Sequence, residues 1–143
     1  MTKSELFAEY GSYHRDPRNR LCHFIGIPTI VLGTIAMLAA VRIGPIDLAL
    51  LFLVATLVYY ASIDLRGTLL SAVAFAVLYA LGARLGWQIG LIAFVLGWVL
   101  QLVGHRLEGS KPKFLENLIY LLVGPIYIFE EWFERGRHRG HSA

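Results

Sequence analysis

The stretch "FIGIPTIVLGTIAMLAAV", Phe24 to Val41, carries no charged side chain over eighteen residues. A helix that crosses a membrane needs about 20 mostly apolar residues, with a range of roughly 17–25, and this run meets that requirement once a flanking residue is added. A cleavable leader is the competing reading, since "AMLAA" spaces small residues like a cleavage site. Two features exclude it: mixed polar residues with Glu5, Glu9 and Asp16 precede the run, and it exceeds the usual core of about 7–15 residues. The run is therefore expected to stay in the protein as a membrane-spanning helix.

Working outward, further uncharged runs cover Leu48 to Ile63, Gly67 to Ala83, Leu85 to Gly104 and, more briefly, Asn117 to Phe129. The 143 residues are 57% hydrophobic and 16% charged, with a mean hydropathy of +0.60. Soluble domains average about 45–50% apolar and 25% charged, so the expected class is an all-α integral membrane protein forming one domain, 1–143. Four spans are expected, at approximately 24–42, 46–63, 67–84 and 86–104, paired as two antiparallel hairpins by the tight connections "RIGPID", "DLRG" and "RLGWQ". The segment 114–133 is expected to be a re-entrant or interfacial helix pair bent at Gly124-Pro125, and 135–143 a basic tail. At the other end Thr2 and Glu5 form a capping-box pair, and Leu6, Phe7, Tyr10 and Tyr13 recur on one face, which predicts an amphipathic surface helix over 2–13.

The cations orient the chain. Arg15, Arg18 and Arg20 precede the first span, and Arg106, Lys111 and Lys113 follow the fourth, which places both termini on the cytoplasmic side. The short loops point to a bacterial inner membrane. A single cysteine, Cys22, excludes an intrachain disulfide and any multi-cysteine zinc site. No nucleic-acid partner is expected, and the oligomeric state is left open.

Ionisable groups at membrane depth are costly and tend to mark sites. Here they gather at one edge: His14 and His23 in "YHRDPRNRLCHF", then "QLVGHRLEGSKP" from Gln101 to Pro112, then Glu130 and Glu131. Pro17 breaks the chain between the two histidines, so His14 ends one helix and His23 opens the next. His105 and Glu108, three apart, share a helix face. Because the first and fourth spans meet the same leaflet, His14, His23 and His105 can converge, and three imidazoles suit iron, zinc, copper or nickel. The alternative is that they anchor helices among lipid headgroups.

The blocks "YGSYHRDPRNRLCHFIGIP" (Tyr10–Pro28) and "QLVGHRLEGSKP" (Gln101–Pro112), followed by "VGP" at Val123–Pro125 and an acidic pair, resemble the DUF962 family of Mpo1-type, iron(II)-dependent 2-hydroxy fatty acid dioxygenases. The resemblance spans nearly the whole chain. It implies α-oxidation of a 2-hydroxy long-chain fatty acid by O2 to the one-carbon-shorter acid, with membrane lipid as surroundings and Fe(II) as cofactor. Carried over, it assigns His14, His23 and His105 to the metal and adds Glu108 to the catalytic set. Three nitrogens and a substrate chelating through carboxylate and hydroxyl would leave one octahedral position for O2. Arg106, Lys111 and Arg18 are candidates to meet the substrate carboxylate, and Asp16, Asn19 and Glu130 to support the histidines.

Two other readings compete. A desaturase-like histidine-box enzyme needs closely spaced histidines such as HxxxH or HxxHH, which are absent. A non-catalytic scaffold or small transporter would use the histidines as interfacial anchors, but transport sites usually sit near the bilayer midplane, away from this edge.

Overall fold

The computed structural model describes residues 2–12, 14–112, 115 and 119–141. Its elements run α1 (Lys3–Ser12), α2 (Pro17–Ala39), β1 (Arg42–Ile43), β2 (Ile46–Asp47), α3 (Leu48–Ala61), α4 (Leu65–Leu85), α5 (Trp87–Glu108) and α6 (Tyr120–His141). Three aspartates start helices. Asp16, Asp47 and Asp64 accept from the backbone N–H of Arg18, Leu50 and Gly67 respectively, filling orphan donors at the heads of α2, α3 and α4. Pro17 at the first position of α2 loses nothing there. At α1, Thr2 and Glu5 exchange the two bonds of the capping box.

Among the described residues three helices, α2, α4 and α5, are long and apolar enough to cross a membrane. The expected span 46–63 is helical only over Leu48–Ala61. Ile46 and Asp47 instead pair with Ile43 and Arg42 in a two-residue hairpin, whose Gly44 adopts φ +62. At about 1.5 Å per residue, α3 covers some 21 Å of a hydrocarbon core about 30 Å thick. The outward faces of the helices are apolar, with Ile25, Val54, Val58, Val73, Val77, Ile92 and Val99 all exposed, which suits lipid and not water.

α2 packs most extensively on α5, which is not its neighbour in sequence. Glycines seven residues apart make this possible: Gly26 and Gly33 on α2 meet Gly97 and Gly90 on α5, and Gly104 meets Asn19 and Cys22. A methyl placed on Gly33 would lie 2.5 Å from the Gly90 carbonyl oxygen, and one on Gly97 2.9 Å from that of Gly26. Without a hydrophobic force between helices in lipid, such close backbone approach is the main source of packing. It also sets the start of α2 beside the end of α5.

That same end of the bundle carries α1, the turn between α3 and α4, and α6. Lys3 of α1 donates to Asp64 at 2.9 Å and to Glu130 of α6 at 2.7 Å, while Phe7 and Tyr10 pack on Tyr127. The Tyr60 hydroxyl donates to the carbonyl of Leu122, seating α6 on α3. Glu130 is held above the usual carboxylate range by burial, against the pull of Lys3.

The segment expected as a bent helix pair followed by a tail is, over residues 120–141, one helix that runs through Pro125. Proline removes a single donor there, and beyond it the Glu131–Arg135 pair at i,i+4 supports continued helix into the basic stretch. Residues 114 and 116–118 of the expected segment lie outside the described residues, as do Lys113 and, on the α1 face, Tyr13.

Candidate metal centre

Gly11 and His14 close a turn after α1, with the His14 N–H donating to the Gly11 carbonyl, and this aims the imidazole inward. His23 stands on the second turn of α2. His105 lies in the last turn of α5, which ends where Gly109 adopts φ +75 and Gly109 and Ser110 donate to the carbonyls of Arg106 and His105. The three rings meet edge to face, with centroids 4.2 Å (His14–His23), 4.7 Å (His23–His105) and 5.0 Å (His14–His105) apart. One ligand nitrogen from each lies within 4.8 Å of the other two, close enough to share an ion after small side-chain movements. All three side chains are buried, at 4–5% exposure, so they do not stand among headgroups as anchors would.

Their second nitrogens are spoken for. His14 Nδ1 is 2.6 Å from the Tyr10 carbonyl oxygen and His23 Nδ1 is 2.9 Å from that of Asn19. A carbonyl only accepts, so in both rings Nδ1 carries the proton and Nε2 keeps its lone pair. His14 Nε2 is buried without a hydrogen-bond partner. His105 Nδ1 is 3.4 Å from Ser110 Oγ. Carbonyl partners that fix the tautomer are what a metal-ligating histidine requires. Burial pushes His14 below the usual imidazole range, outweighing the Tyr10 carbonyl that favours its charged form. Tyr10 also stacks on the His14 ring at 4.2 Å.

Glu108 is not part of the group whose ligand atoms converge. Its carboxylate accepts from the backbone N–H of Arg15 and from the side-chain amide of Asn19, which is fully buried. It thus clasps the end of α5 to both sides of the helix break that separates His14 from His23. Asp16 caps α2 and pairs with Arg18 at 2.9 Å, and Arg106 and Lys111 are exposed. Glu130 is engaged by Lys3.

From the histidines a largely apolar cavity, partly open, continues between α2, α3 and α5. Ile27, Val31 and Ile35 line it on α2, Phe52 and Thr56 on α3, and Trp98 on α5. Gln101, which the sequence reading includes only as the first residue of "QLVGHRLEGSKP" and gives no role, also lines it one turn before His105. The signal was present, since residues four apart share a helix face.

The chain is 33% identical over 137 residues to the 2-hydroxy-palmitic acid dioxygenase MPO1 of Saccharomyces cerevisiae, covering 89% of this chain and 78% of that protein. No solved structure matches it. Residues 1–136 match the family described as 2-hydroxy-palmitic acid dioxygenase Mpo1-like, and the chain belongs to that family.

Proposed function

We propose that this protein is an Fe(II)-dependent dioxygenase that converts a 2-hydroxy long-chain fatty acid and O2 to the one-carbon-shorter acid, CO2 and water. The observation that carries the reading is the convergence of three buried imidazoles, two with Nδ1 committed to carbonyls, at the head of an apolar cavity. The reaction balances without an outside reductant, because the substrate supplies its own electrons. Iron(II), when bound, supplies the redox chemistry that lets O2 react with a closed-shell acid, and a nitrogen donor set with open positions suits it.

The chain's own residues do the rest. His14, His23 and His105 would hold the ion, the first two through Nε2, and the Tyr10 and Asn19 carbonyls would keep those two rings turned toward it. The cavity takes the acyl chain, where each buried methylene contributes about 0.8 kcal/mol, and Tyr10 over His14 limits water. Arg18, Arg106 and Lys111 form a cationic rim that meets lipid phosphate or an arriving carboxylate. In this reading the whole chain is one membrane domain, α3 and its flanks complete a fourth, shorter crossing, and the site faces the cytoplasm of a bacterial inner membrane.

The test is to load detergent-purified protein with Fe(II) anaerobically, add 2-hydroxypalmitate and O2, and measure O2 uptake with the fifteen-carbon acid and CO2 formed. Equal amounts of all three are expected. Absence of both bound iron and uptake would sink the proposal.

Glu108→Ala is expected to weaken iron binding about 10- to 100-fold, the usual effect of losing an outer partner, with the helical content retained. Iron titration of the variant checks this, and unchanged affinity would reduce Glu108 to a surface contact. The state of His14 sets a pH dependence. Its folded pKa lies below the unfolded value of about 6.5, so the unfolded chain takes up the proton first as pH falls. Metal-free protein should therefore lose stability as pH falls through about 6.5 toward the folded value. Melting between pH 7.5 and 5.5 should show a falling Tm, with a shallower fall in His14→Gln; a Tm that rises on acidification contradicts it.

A further inference from the structure

Among the described residues that line the cavity, two buried polar side-chain atoms have no hydrogen-bond partner: Nε2 of His14 and Oε1 of Gln101. The first belongs to the metal centre. The second is unexplained by it. Gln101 is 5% exposed and stands one turn before His105 on the same face of α5. Its amide end lies over the bare backbone of Gly26, where a methyl would come within 3.5 Å of its Cδ. Gly26 in turn is three residues beyond His23 on α2, so the amide sits just past the histidines, where the apolar groove begins.

The other polar groups deeper in that groove are satisfied internally. Thr34 Oγ1 donates to the Ile30 carbonyl and Thr56 Oγ1 to the Phe52 carbonyl. A buried acceptor left without a donor is costly, and it marks a place where a ligand can supply one. In the proposed function the cavity would hold an acid whose carboxyl end reaches the metal and whose chain runs down the groove. At its head, the donor such a molecule offers is the 2-hydroxyl proton. A plain fatty acid has a methylene at that carbon and offers none.

We infer that Gln101 is the residue that recognises the 2-hydroxyl of the substrate and rejects acids lacking it. This rests on the reading of the cavity as the acid's binding site. Oε1 accepts from the hydroxyl, and the hydroxyl oxygen remains free to face the metal through its lone pairs. An acid with a methylene in that place leaves Oε1 unpaired and is discriminated against by roughly fivefold or more, the usual scale for a buried acceptor left unmade.

The test compares 2-hydroxypalmitate with palmitate by equilibrium binding to Fe(II)-loaded protein under strict anaerobiosis, so that no turnover occurs. Wild type is compared with Gln101→Met, which keeps length and packing but removes the strong acceptor. In wild type the hydroxy acid should bind more tightly. In the variant the ratio of the two affinities should fall at least fivefold, through weaker binding of the hydroxy acid, while palmitate affinity and iron content stay within twofold. A ratio unchanged by the substitution overturns the inference, as does equal weakening of both acids, which marks a packing role. The two readings fail separately. Turnover by an oxygen assay with an unchanged ratio removes Gln101 but keeps the dioxygenase, and a shifted ratio without turnover does the reverse.

Discussion

His14→Ala, His23→Ala and His105→Ala are each expected to strip the protein of stoichiometric iron and lower turnover of 2-hydroxypalmitate by more than 100-fold. The magnitude follows from comparison with outer partners, whose loss already costs about 10- to 100-fold in affinity or activity. A direct ligand has no substitute here, because the three rings are the only group of three or more such side chains brought within ligating distance among the described residues. Groups that act as one unit are grossly non-additive, so the triple variant should be no worse than the weakest single one. His14 differs from the others in standing on a connector between helices, not on one. Its loss leaves His23 and His105 facing each other across the α2–α5 seam, and some weak metal binding should survive in that variant first. Metal analysis beside oxygen uptake checks the series. Any one variant that kept full metal and full rate would remove its histidine from the site.

The meeting of the three histidines is legible in the sequence because it depends only on the head of one apolar helix lying beside the end of another. Reading Phe24–Val41 and Leu85–Gly104 as apolar helices of opposite direction sets His14, His23 and His105 on one edge by counting. Helix limits were less legible, for a physical reason. The uncharged run begins at Phe24, yet α2 begins at Pro17, because Arg18 and Arg20 lie on its exposed face and pair with Asp16 and Glu131. A count of uncharged residues stops at the first ionisable side chain, His23, whereas the helix stops at its cap. The same count makes the basic stretch after Arg135 a tail, although Glu131 and Arg135 favour helix. The role of Glu108 was hidden because its partners, Arg15 and Asn19, lie about ninety positions away and meet it only through the α2–α5 contact. That contact is itself written in the chain as glycines at intervals of seven. It could not be read as a pairing while sequence neighbours were expected to form the tightest hairpins.

The glycine seam supplies the last expected result, a graded one. Gly26→Ala should be the mildest of the three, since the added methyl meets the Gly97 carbonyl oxygen at 3.1 Å, Leu100 Cβ at 3.3 Å and Gln101 Cδ at 3.5 Å, none of them under 3.0 Å. Gly33→Ala should be severe, because the methyl would lie 2.5 Å from the Gly90 carbonyl oxygen and 2.6 Å from the Phe94 nitrogen, both backbone atoms that move only with their helices. Overpacking of this kind costs about 1–3 kcal/mol and occasionally more, and separating two helices whose contact is mostly backbone belongs at the upper end. Gly104→Ala sits between these in stability but not in function. Its methyl would be 2.5 Å from Asn19 Oδ1, 2.9 Å from Cys22 Cβ and 3.2 Å from Asn19 Cα. The Asn19 side chain can yield, but it is the residue whose amide donates to Glu108 and whose carbonyl holds His23. Gly104→Ala should therefore lower iron affinity out of proportion to its loss of stability, whereas Gly33→Ala should lower stability while any folded fraction binds iron normally. Thermal melting and iron titration on the three variants separate the two effects. Equal ratios of lost stability to lost affinity across the series would show that the seam supports the site only through the fold as a whole.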